Sequence, residues 1–150
     1  MSKDYRFIEK LDKLPAGRYL FTDPCYVLGE EPFWSDLVIE LNSEDVPKDV
    51  VFVEMKGKVF PIFKTSIGDG LYSFITYDGC VSSPVDSGCL AFVPVSLVKD
   101  EDLESGGVFT LYKDEKLKFP ERGVVEVGIW QLDTRPELDY EDEEEEEEEY

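Results

Sequence analysis

Apolar residues in this chain alternate with a period of two in short runs, and Gly, Pro and Asp stop each run before it grows long. Val51, Val53 and Met55 alternate, as do Val59, Pro61 and Phe63, and Lys56-Gly57-Lys58 between them has hairpin-turn chemistry. Strict alternation places one face of an extended segment on a core and the other in solvent, so it excludes a helical bundle. The same pattern predicts strands over 18–22, 71–77, 108–112, 116–119 and 124–131. The continuous apolar run 88–93 predicts a strand buried on both faces.

One segment departs from that period. Residues 31–41 predict a helix: Phe33, Leu37 and Leu41 share a face, Pro32 suits a first turn, and acids sit near the N-terminal end. Residues 25–28 read as a short extended piece, and 95–98 as a helical turn after Pro94. The expected fold class is mainly β (α+β): a compact β-sandwich or small barrel with one packed helix over 1–135.

From Pro136 onward no apolar pattern supports folding, and 136–150 is expected to be a disordered acidic tail. Nine acids run without interruption from Glu141 to Glu149. The whole chain carries 35 acids and 15 bases, a net charge of −20. The tail holds 11 acids and no base, which leaves 24 acids against 15 bases in the body, a net −9. Nucleic-acid binders draw affinity from neutralising phosphates, so direct binding of nucleic acid is not expected unless Lys3, Arg6, Lys10 and Lys13 gather on one face.

The opening ten residues are charged and lack an apolar signal region, and no apolar run reaches the ~20 residues of a membrane helix. Cys25, Cys80 and Cys89 form neither an even framework nor a CxxC motif. Reduced thiols and a cytoplasmic location are the expectation, in a host cytoplasm if the chain is phage-encoded.

Histidine is absent. That removes the commonest general base near neutral pH and excludes Ser-His-Asp and Cys-His nucleophile systems. No catalytic residue and no cofactor is expected, and no phosphate-loop motif is present. Carboxylates in Gly-rich turns remain: Asp23, Asp69, Asp78 and Asp86. Such residues most often bond nearby backbone N–H groups in turns; converged at one rim, they can hold Mg²⁺ or Ca²⁺. Whether any metal binds is open at this stage. Cys25 lacks a nearby base to lower its pKa and reads as a packed thiol.

The segments TDPCYVL, GDGLY and VDSGCLAFVP resemble a family of small uncharacterised bacterial and phage proteins with GDPCYV-like, GDGxY and VDSG-like segments. The likeness spans 18–97, with Thr22 where glycine is usual. It implies a bacterial or phage origin and a shared framework or ligand site of Asp23, Tyr26, Asp69, Tyr72, Asp86 and Ser87. It implies no activity.

An extended chain advances about 3.3–3.6 Å per residue, and a DNA strand offers a phosphate every ~3.4 Å. The tail therefore predicts an acidic inhibitory protein that enters the basic cleft of a host nucleic-acid-handling or defence protein by charge mimicry. Its contact residues would be Glu141, Asp142, Glu143, Glu144, Glu145, Glu146, Glu147, Glu148, Glu149 and Tyr150. One alternative is a single-stranded-DNA-binding protein whose acidic, aromatic-ended tail recruits replication partners, with Phe52, Phe60, Phe63, Tyr72, Phe74 and Tyr77 as stacking candidates. Another is a small Mg²⁺- or Ca²⁺-dependent enzyme or ligand binder built on Asp23, Asp69 and Asp86.

Overall fold

A computed structural model of the chain describes residues 5–42, 49–66 and 68–135. The tail 136–150, with its expected partner contacts Glu141 to Glu149 and Tyr150, lies outside the described residues.

The period-two segments assemble into one six-stranded antiparallel sheet. Its members are β1 (Tyr5–Ile8), β3 (Gly17–Thr22), β4 (Val50–Met55), β5 (Lys58–Lys64), β8 (Cys89–Pro94) and β9 (Gly107–Leu111). They lie in the order β1-β4-β5-β8-β3-β9. A hairpin of β6 (Gly70–Thr76) and β7 (Gly79–Val85) and a four-stranded sheet, β12-β11-β10-β2, complete the β structure. The latter holds β2 (Lys13–Leu14), β10 (Glu115–Glu121), β11 (Val124–Val127) and β12 (Trp130–Asp133). The fold is mainly β with one main helix. Of the two expected β architectures it is sandwich-like: β1 and β9 end the large sheet unpaired with each other, so no barrel closes.

Each face of the large sheet carries its own core. On one face Val51, Val53, Phe60, Ile62, Ala91 and Val93 pack with Phe33, Leu37 and Leu41 of helix α2 (Phe33–Leu41). On the other, Phe21, Phe63, Leu90, Phe92, Phe109 and Leu111 meet Tyr72, Phe74 and Val85 of the hairpin and Leu117, Val125, Val127 and Leu132 of the small sheet. Strand β8 lies between the two. Cys89, Ala91 and Val93 turn to the helix side and Leu90 and Phe92 to the hairpin side, which is why every residue of β8 is buried.

Four expectations are corrected. Residues 25–28 are not extended: α1 (Pro24–Val27) is a single helical turn, because Asp23 caps it and Pro24 occupies its first turn. Helix α2 begins at Phe33, with Pro32 as its N-cap residue rather than inside its first turn. The strand expected over 124–131 is two, β11 and β12, reversed at Gly128, whose φ of +61° favours glycine. Strands β1, β2 and β7 and the 3-10 turn over 100–105 carry no strong periodic signal and were not expected.

Candidate functional site

The turn residues singled out in the sequence fall into two adjoining knots. In the first, Asp23 leaves β3 in an extended conformation and aims its side chain back at the chain ahead. Its Oδ1 accepts from the Cys25 backbone N–H at 2.9 Å and from the Ser87 hydroxyl at 2.7 Å. Its Oδ2 accepts from the backbone N–H groups of Asp86 at 2.6 Å and Ser87 at 2.7 Å. Asp23 is fully buried. A carboxylate offers about four acceptor sites, and these four donors engage both of its oxygens.

Tyr26, one turn along α1, donates its hydroxyl to Asp86 Oδ2. That bond, followed by partial burial and the charges of Asp86 and Asp23, pushes the Tyr26 phenol well above its usual range. Thr22 is buried, donates to the Asp23 carbonyl at 3.3 Å and lies 3.0 Å from the Ser105 hydroxyl.

The second knot surrounds Thr65. Its hydroxyl donates to the Gly68 carbonyl at 2.7 Å and accepts from the Gly68 N–H at 2.8 Å, while its N–H donates to the Gly88 carbonyl at 3.0 Å. Tyr72 lies in this knot, its ring in the core and its hydroxyl donating to Gly68 at 2.8 Å. Of the six framework residues, Asp23, Tyr26, Asp86 and Ser87 are therefore brought together. Tyr72 joins the neighbouring knot. Asp69 is exposed and makes no side-chain bond among the described residues.

This arrangement limits the available chemistry. Both Asp23 oxygens are engaged by protein donors of the neighbouring turns. No three of Asp, Glu and Cys among the described residues are grouped to hold a metal ion. Cys25 is half-buried and its thiol is pushed up to about 12, by burial first and then by the Asp23 hydrogen bond and the Asp23 and Asp86 charges. Cys80 and Cys89 are also free thiols. The thiolate needed for nucleophilic attack is strongly disfavoured at Cys25.

Beside the first knot lies a cleft of about 730 Å³, lined by Val27, Leu28, Phe33, Met55 and Leu97 and by the charged residues Glu30, Glu31, Lys56, Lys99 and Asp102. The rim continues into the acidic 3-10 turn Asp100–Ser105, which packs on α1. Sequence reasoning missed this cleft, since its walls come from segments more than 20 residues apart. The stacking candidates are mostly spent elsewhere: Phe60, Phe63, Tyr72 and Phe74 are buried and Phe52 half-buried, so Tyr77 alone of the six is exposed. Arg6 pairs with Glu54 and Lys10 with Asp12, Lys13 lies opposite Lys116, and Lys3 falls outside the described residues. No described helix is long and apolar enough to cross a membrane.

No family model, curated protein or solved structure matches this chain.

Proposed function

We propose that this is an acidic, non-catalytic binding protein, phage-encoded, that inhibits a host nucleic-acid-handling or defence protein by presenting its acids to that protein's basic cleft. The observation that carries the reading is the uninterrupted run of nine acids from Glu141 to Glu149, with no base from Pro136 onward. Spaced at about one charge per 3.3–3.6 Å when extended, the run matches the charge spacing of a nucleic-acid strand. The body supports the same polarity: the 3-10 turn Asp100–Ser105 adds Asp100, Glu101, Asp102 and Glu104 on one short segment. A negative field of this kind steers a basic partner and weakens as salt rises.

The test is competition. Host nucleic-acid-binding proteins are loaded on immobilised duplex DNA and challenged with the full chain, a chain ending at Arg135, or a chain with 141–149 neutralised to Gln and Asn. The full chain releases a defined protein at about 50 mM salt and far less at about 200 mM, and the two variants release little. Equal release by all three removes the tail from the mechanism, and release by none removes mimicry.

A further inference from the structure

Three hairpin turns meet where the β6–β7 hairpin adjoins the small sheet. The β6–β7 turn holds Tyr77 and Asp78, Tyr112 opens the β9–β10 turn, and the β11–β12 turn places Ile129 just before Trp130. The rings show the meeting directly. The Tyr77 centroid lies 6.0 Å from that of Tyr112 and 4.5 Å from that of Trp130, edge to face in both pairs. The Tyr112 hydroxyl donates to Asp78 Oδ1 at 2.8 Å, which ties the first two turns by a hydrogen bond as well.

Turns ordinarily carry small or polar residues. Here Tyr77, Tyr112 and Ile129 stay 58%, 65% and 84% exposed. One exposed apolar side chain needs no explanation, but a group of them in contact marks an interaction surface. Trp130 seats the group by packing on the core beneath it.

Charge at the patch identifies what covers it. Asp78 is exposed, its carboxylate accepts the Tyr112 hydroxyl alone, and it forms no ion pair among the described residues. Aromatic faces attract cations through their quadrupole. Two exposed rings beside a carboxylate that lacks a cation therefore suit a cationic group able to lie flat on a ring and fork onto the acid. A guanidinium does both, whereas an ammonium is a strongly hydrated point charge. Phosphate-bearing ligands are disfavoured by Asp78 and by the net −20 charge of the chain.

We propose that this patch docks an arginine side chain of a partner protein, its guanidinium against the exposed Tyr77 and Tyr112 rings and paired with Asp78. The assignment rests on the reading above for the source of that arginine, the partner's basic cleft, and adds a contact to that cleft besides the tail. Exposed tyrosine and tryptophan are the residue types that carry most binding energy in protein interfaces.

Titration of the full chain with capped Gly-Arg-Gly, Gly-Lys-Gly and Gly-norleucine-Gly peptides tests this at about 200 mM salt, where attraction to the tail is screened. The Trp130 indole N–H signal in NMR reports the patch, and Trp34, which packs on the opposite core, is the reference. The arginine peptide moves the Trp130 signal saturably and binds about threefold or more tighter than the lysine peptide. The norleucine peptide does not bind. Tyr112→Ala and Asp78→Asn each weaken the arginine peptide by about two- to fivefold, and Tyr112→Phe, which keeps the ring, loses less than Tyr112→Ala. An unmoved Trp34 signal in each variant shows that the fold is intact. No Trp130 response up to about 20 mM peptide, or equal binding of the lysine or norleucine peptide, overturns the assignment. So does a Trp130 response to the chain's own concentration, which gives the patch to a second copy, or to an oligothymidine in place of the peptide, which gives the rings to a nucleobase. The chain ending at Arg135 separates this proposal from the tail: its Trp130 response to arginine persists even if the tail releases no DNA-bound protein. Release of such a protein by the tail, with no Trp130 response, sinks the arginine anchor alone.

Discussion

Asp23 and Ser87 are joined twice: the backbone N–H and the hydroxyl of Ser87 each reach an Asp23 carboxylate oxygen at 2.7 Å. The two residues belong to segments 64 positions apart, so this pair fastens the end of β3 to the turn that enters β8. Because Asp86 N–H and Cys25 N–H bind the same carboxylate, one side chain fixes both the first turn of α1 and the β7–β8 connection.

Replacing that carboxylate leaves four donors without their acceptor, one on half-buried Cys25 and three on Asp86 and Ser87. Asp23→Ala is expected to cost about 3–5 kcal/mol, the range for stripping one partner from a buried charged network. Ser87→Ala removes one donor and costs about 1–2 kcal/mol. Urea unfolding followed by tryptophan fluorescence measures both. An Asp23→Ala loss no larger than that of Ser87→Ala would show the carboxylate to be a simple turn residue.

Phe92 is the hub of the second core. Its ring centroid lies 5.3 Å from those of Phe63 and Phe74, 5.5 Å from Phe109 and 6.0 Å from Phe21. Phe92→Ala opens a cavity bounded by four rings from four strands and is expected to cost about 3–5 kcal/mol. Phe119→Ala, at a half-buried ring on the rim of the same cluster, costs less. Thermal unfolding of the two variants gives the order directly.

Gly107 lets β9 lie against β7. A Cβ at 107 would sit 2.4 Å from Val81 Cβ and 2.9 Å from Val81 Cγ1. Gly107→Ala is therefore expected to destabilise by about 1–3 kcal/mol through overpacking. Val81→Gly in the same chain removes both Cβ and Cγ1 and restores part of that loss, a coupling that a double-mutant cycle reads.

The alternation at Val51, Val53 and Met55 made the strand, its turn and its buried face legible, because burial of every second residue leaves a direct trace in composition. The apolar run of β8 was legible as a strand buried on both faces for the same reason. Strand β7, GCVSSPV, was not, since Cys80, Ser82 and Pro84 face solvent and an inward position is held by a polar residue, Ser83, whose hydroxyl donates to the Pro84 carbonyl. In the site, Asp23-Pro24 carried a cap signal that outweighed the extended look of 25–28, but nothing local showed that Asp86 and Ser87 would supply its other donors. The pairing of Lys13 with Lys116 was equally hidden, since the two become neighbours through strand register alone.

The two least exposed thiols make stability fall in alkali. Cys89 is 6% exposed, and burial, with the Asp23 charge adding to it, pushes its thiol up to about 11 from an ordinary value near 9. Cys25 moves the same way, to about 12. In the unfolded chain both thiols lose their protons near pH 9, while the folded chain still holds them. The folded state thus binds more protons between about pH 9 and pH 11–12, and stability falls as pH rises through that window. Below pH 9 both states are protonated and the contribution is constant. For Cys89 the loss is on the order of 1 kcal/mol by pH 10. Urea midpoints of the parent and of Cys89→Ala, compared from pH 8 to pH 10.5, isolate it: the parent's midpoint declines more steeply. Parallel declines would mean that the Cys89 thiol titrates alike in the folded and unfolded chains.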